Sequence, residues 1–81
     1  MATTNIEITG NSWTKVEAIG TDGEFLLENL GPFHTVEVAF GGAPADGVRG
    51  HFLEVGDALV RAKVPGDVYV RSAEATLVVS A

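Results

Sequence analysis

His34-Thr35-Val36-Glu37-Val38-Ala39-Phe40-Gly41 is the stretch whose reading decides the fold. His34, Val36, Val38 and Phe40 alternate with Thr35, Glu37 and Ala39, the period of two that sets successive side chains on opposite faces of a strand. A helix is excluded here because the run is short, rich in β-branched residues and stopped by Gly41-Gly42.

Working outward, the same punctuation recurs. On the N-terminal side, residues 4–9 place Ile6 and Ile8 opposite Asn5, Glu7 and Thr9, and Gly10-Asn11-Ser12 turns the chain. Residues 13–19 set Thr14, Val16 and Ala18 against Trp13, Lys15, Glu17 and Ile19. Gly20-Thr21-Asp22-Gly23 predicts a hairpin, since Asp-Gly tolerates the positive φ that such turns require, and residues 24–30 form the return strand. Leu30-Gly31-Pro32 bends the chain into the deciding strand, with His34 on its apolar face as a core-edge residue.

On the C-terminal side, residues 42–50 hold Gly and Pro with Val48 as their one large apolar residue, which predicts a long, exposed and mobile loop. Residues 51–55 make a short strand or a covering segment, and residues 57–64 alternate Ala58, Val60, Ala62 and Val64 against Leu59, Arg61 and Lys63. Pro65-Gly66 suits a type II turn and predicts a tight hairpin into residues 67–72, where Val68 and Val70 share a face. Residues 75–80 close the chain. About seven strands at this spacing predict an all-β fold, a small antiparallel sandwich or barrel. Residues 1–81 form a single β domain, with residues 1–10 as an N-terminal arm or edge strand.

Composition bounds the function. With 81 residues the chain makes one small domain, and such a domain buries only roughly 60–65% of its unfolded surface. Without cysteine, disulfides and thiolate metal sites cannot supplement the core, so association with other subunits is the expected supplement. Hydrophobic residues at 46% and two-faced apolar runs such as Phe25-Leu26-Leu27 and Leu77-Val78-Val79 point the same way. Eleven acidic against 5 basic residues, a net charge of −6, oppose a non-specific grip on nucleic acid. No stretch is long and apolar enough for a membrane helix, and the start lacks the parts of a signal peptide, so the chain reads as soluble and made in a cytoplasm.

The inventory for chemistry is thin. His34, His51, Ser12, Ser72 and Ser80 occur in no catalytic motif. His34 and Glu37, three apart, fall on opposite faces of a strand and cannot share a metal. The glycines of residues 41–50 lack the Gly-Lys-Ser or Gly-Lys-Thr step of a phosphate loop. The sequence therefore predicts no enzyme, no cofactor and no metal. The candidate interface residues are Ile6, Ile8, Trp13, Pro44, Val48, Phe52 and Tyr69, with Ile6 and Ile8 placed to add a strand to a neighbour's sheet.

Trp13-x-x-Val16, Phe25-Leu26-Leu27-Glu28-Asn29, Val36 to Gly41, Leu53-Glu54-Val55-Gly56-Asp57 and Val68-Tyr69-Val70-Arg71-Ser72 follow one another in an order that resembles small structural proteins of tailed bacteriophages. The resemblance implies a β-sandwich virion component: a capsid decoration or cement protein, or a related head or tail accessory protein. It further implies a homotrimer bound to the major capsid protein or another virion protein, and localisation to the virion. The alternative is a carbohydrate or receptor-binding module of a phage tail or fibre, with Trp13 and Tyr69 lining a shallow site. Gly56-Asp57-Ala58-Leu59-Val60 and Pro65-Gly66-Asp67-Val68 resemble lipoyl and biotinyl carrier domains more weakly, but Lys15 and Lys63 lie within strand-like runs rather than at the hairpin tip where those domains carry a modified lysine.

Overall fold

The computed structural model describes residues 3–19, 24–61 and 66–81. Eight strands are seen among them: β1 (Thr3–Thr9), β2 (Thr14–Lys15), β3 (Phe25–Gly31), β4 (Val36–Gly41), β5 (His51–Leu53), β6 (Ala58–Arg61), β7 (Asp67–Arg71) and β8 (Glu74–Ser80). They form two four-stranded antiparallel sheets, ordered β1-β8-β3-β6 and β2-β7-β4-β5, so the all-β sandwich expected from the alternation is what the chain adopts.

Alternation builds the core. Ile8 of β1, Phe25 and Leu27 of β3, and Ala75, Leu77 and Val79 of β8 turn inward from the first sheet. Val36 and Val38 of β4, Leu53 of β5, and Val68 and Val70 of β7 meet them from the second. Removing these side chains from water is the main force holding the two layers together.

The chain changes sheet at nearly every step. Of consecutive strands only β4 and β5 pair; each other step crosses to the opposite layer. This corrects two expected hairpins. Residues 20–23 and Pro65 lie outside the described residues, but β2 and β3 fall in different sheets, as do β6 and β7. Gly66 does have φ +85°, the value a type II turn wants at its second central position. Turn chemistry thus marked where the chain bends without saying which layer it enters.

Two further readings also change, and a third is settled. Residues 13–19 hold only the two-residue β2, because the chain folds inward afterwards: Val16 N–H donates to the Val68 carbonyl at 2.8 Å and Ile19 N–H to the Val16 carbonyl at 3.2 Å. Val16 and Ile19 are both buried as a result. On β6, Leu59 packs against the core while Val60 is 73% exposed, which settles the facing that the alternation left open. The larger side chain gains more by burial. His34 precedes β4 and is exposed, not at the edge of the core, while its carbonyl is held by a side chain described below.

Candidate functional site

On the outer face of the second sheet, Glu37 of β4 stands directly across from Arg71 of β7. Both point away from the core, yet their side chains are only 12% and 9% exposed, because the segment joining β4 to β5 lies over them. Arg71 Nε donates to Glu37 Oε2 at 3.3 Å, and Nη2 donates to Oε1 and Oε2 at 3.1 and 3.2 Å. The same guanidinium reaches the covering segment, donating from Nη1 to the Asp46 carbonyl at 2.8 Å and from Nη2 to the Val48 carbonyl at 3.0 Å. Gly50 N–H donates to Glu37 Oε1 at 3.0 Å, and Arg49 Nε lies 3.4 Å from that oxygen. The Gly50 amide, joined by the hydrogen bond and charge of Arg71 and by Arg49, holds the Glu37 carboxyl below the usual range against the opposing effect of burial.

Trp13 completes this cluster, with the Arg71 guanidinium 4.3 Å from its ring centroid. Arg49 lies 5.4 Å from the Phe52 ring centroid on the same side of the sandwich. The segment over residues 42–50, expected to be mobile, is therefore pinned at the Asp46 and Val48 carbonyls and the Gly50 amide. Nε, Nη1 and Nη2 of Arg71 each have an acceptor, two of them backbone carbonyls of the covering segment, so the guanidinium fastens that segment to the sheet.

At one end of the sandwich a buried amide plays the corresponding part. Asn29 faces inward in register with Phe25 and Leu27 and is 0% exposed. Its Nδ2 donates to the carbonyls of His34 and Leu53, both at 2.9 Å, and its Oδ1 accepts the Gly31 N–H at 2.8 Å. Its main chain is also tied: the N–H donates to the Asp57 carbonyl at 3.1 Å and the carbonyl accepts Gly56 N–H at 2.8 Å. One residue thus joins β3, the β3–β4 connection, β5 and the β5–β6 turn.

Large apolar side chains stand in water at this fastened end: Phe33 is 85% exposed, Leu30 47% and Val55 45%. The two connections sit against each other, since a Cβ on Gly31 would lie 2.8 Å from Val55 Cγ1. Glu28, Glu54 and Asp57 are close to these apolar residues in the chain, and Glu54 and Asp57 are exposed.

The expected interface residues are dispersed. The Ile8 side chain is 1% exposed and belongs to the core, so only its backbone is left for an edge contact, while Ile6 is half-buried beside it. Trp13 is half-buried with one ring face taken by Arg71, and Pro44 and Tyr69 are half-buried. Val48 and Phe52 are exposed and share the side of the sandwich that carries the Arg71 cluster. Sequence reasoning missed Asn29 as a junction, the Glu37–Arg71 pair and the exposure of Phe33. An Asn at an inward-facing position, just before Leu-Gly-Pro, was the available signal for the first.

For catalysis the arrangement offers little. His34 and His51 are exposed, and the Ser72 hydroxyl is buried with the residue 2% exposed, closed to a substrate. Among the described residues no three His, Asp or Glu side chains converge where a metal ion would be held. Comparison of the chain with protein family models, with curated proteins and with solved structures found no match.

Proposed function

We propose that the chain is a non-enzymatic structural module that works by binding another protein through the Leu30, Phe33 and Val55 end of its sandwich. The observation that carries this reading is Phe33, 85% exposed on a connection whose backbone is fastened by a fully buried asparagine. An aromatic side chain held in water on a rigid support loses little conformational entropy when a partner pocket closes over it. The acidic residues Glu28, Glu54 and Asp57, close by in the chain, select a partner whose apolar pocket is rimmed by Lys and Arg. The resemblance to small virion proteins gives that partner its finer form: the major capsid protein, or another virion protein, of a tailed bacteriophage, with this chain as a decoration or accessory protein on the particle.

The test is co-sedimentation with a panel of purified tailed-phage shells, wild type against Phe33→Ser. Phe33 is 85% exposed, so the variant keeps the core side chains in place. Saturable binding to one of the shells, weakened at least tenfold by the substitution and by added salt, is the expected result. No binding to any shell, or binding indifferent to Phe33, overturns the reading.

A further inference from the structure

A second surface, distant in kind from the Phe33 end, is the free edge of β1. Each sheet has two edges, and three of the four edge strands are short as described: β2 has two residues, β5 three and β6 four. Short edge strands are one of the usual protections against pairing with another chain. β1 has seven residues, Thr3-Thr4-Asn5-Ile6-Glu7-Ile8-Thr9, about 24 Å of extended chain, close to the 29 Å longest dimension of the molecule. It carries no proline, lysine or arginine, and its pairing with β8 runs from Thr3↔Ser80 to Thr9↔Glu74 without a bulge. Two of its outward side chains bond across to β8: Thr3 Oγ1 lies 2.8 Å from Ser80 Oγ, and Thr76 Oγ1 donates to Glu7 Oε1 at 2.9 Å. One side of β1 bonds β8, and among the described residues the groups on its other side have no neighbouring strand.

We infer that β1 pairs antiparallel with β1 of a second copy of this chain, joining two four-stranded sheets into one continuous sheet of eight. The sequence of β1 is what selects a second copy. Two identical antiparallel strands are related by a two-fold axis perpendicular to the sheet, which requires one residue to stand opposite itself. Centred on Ile6, all seven residues pair. Ile6 meets Ile6, Thr4 meets Ile8, Thr3 meets Thr9, and Asn5 meets Glu7 twice, an amide donor opposite a carboxylate each time. Centred on Glu7, two carboxylates would stand opposite each other; centred on Asn5, Ile8 and Thr9 would run past the described strand. The edge is thus self-complementary in one full register, with apolar Ile6 at its middle and no like-charge pair.

This pairing deepens the assembly reading without sharing its surface, and salt separates the two. Each chain carries a net charge of −6, so two copies repel at long range and their association strengthens as salt screens that repulsion. Binding through the acidic residues near Phe33 weakens instead.

Sedimentation equilibrium of the whole chain over a concentration series tests the inference, with Asn5→Asp and Asn5→Lys as paired variants. Asn5 is exposed, and either substitution leaves the core untouched. The expected result is a reversible monomer–dimer equilibrium whose Kd rises about tenfold in Asn5→Asp, where carboxylates face Glu7 at two places, and falls in Asn5→Lys, where an ammonium does. Adding Glu7→Gln to Asn5→Asp restores the wild-type Kd. A single-chain mass at every concentration, or a dimer whose Kd both Asn5 variants leave in place, overturns the inference. Phe33→Ser leaves this equilibrium intact, so the failure of one proposal is told apart from the failure of the other.

Discussion

Asn29 shows how one buried polar residue decides local structure. Its side chain gives two hydrogen bonds and accepts one with no exposure to water. Asn29→Ala leaves two carbonyls and an amide without these partners inside the protein, and the expected cost is about 3 kcal/mol, read from the urea midpoint. Asn29→Asp is expected to cost at least as much, because a buried carboxylate would face two carbonyl oxygens where an amide now donates. Glu37 has the opposite electrostatics. Its folded pKa lies below the ordinary carboxylate value, so its contribution to stability is fully present above that ordinary value and is lost as pH falls through the folded pKa. Glu37→Gln is therefore expected to flatten the acid limb of a stability profile below about pH 4.5, and an unchanged limb would show that this carboxylate is not held as described. Phe25, Leu27 and Asn29 share one parity, so the position of Asn29 was legible while its role was not. Periodicity gives a facing direction but not the three backbone groups that the fold brings to it.

At the scale of elements, the segment over residues 42–50 is held mainly by the Glu37–Arg71 pair of the sheet beneath it. Its glycines and proline carry the signature of a loose loop, and the expectation of mobility followed from them. Arg71 comes from a strand more than twenty residues away in the chain, between Tyr69 and Ser72, where only its outward parity could be read. Arg71→Ala removes the bonds to the Asp46 and Val48 carbonyls and leaves Glu37 with Arg49 and the Gly50 amide. The segment should then open, and limited trypsin cleavage after Arg49 should speed up at least tenfold. Cleavage at the wild-type rate would mean that the segment is fastened elsewhere. Strand assignment was legible where alternation is strict, as in β1, β4, β7 and β8. It failed in residues 13–19, where Val16 and Ile19 both enter the core by a turn that alternation does not describe.

For the whole molecule, the sandwich follows from many short alternating runs, but its connectivity does not. A Gly-Asp or Pro-Gly step bends the chain equally well whether the next strand pairs alongside or crosses to the other layer. What decides is the burial of Ile8, Leu77 and Val79 of one sheet with Val36, Val68 and Val70 of the other in one core. The pairing of β1 with β8 ties the two ends of the described chain together in the same way. The resulting body is small, 29 × 26 × 16 Å, and it keeps Phe33, Val60 and Phe52 in water. These exposed side chains, and the edge of β1 that no described strand covers, are the surfaces on which the proposed association rests. Co-sedimentation of wild type and Phe33→Ser side by side on purified tailed-phage shells tests that activity most directly. Saturable binding by the wild type and its loss in the variant is the expected result, and equal behaviour of the two proteins would contradict it.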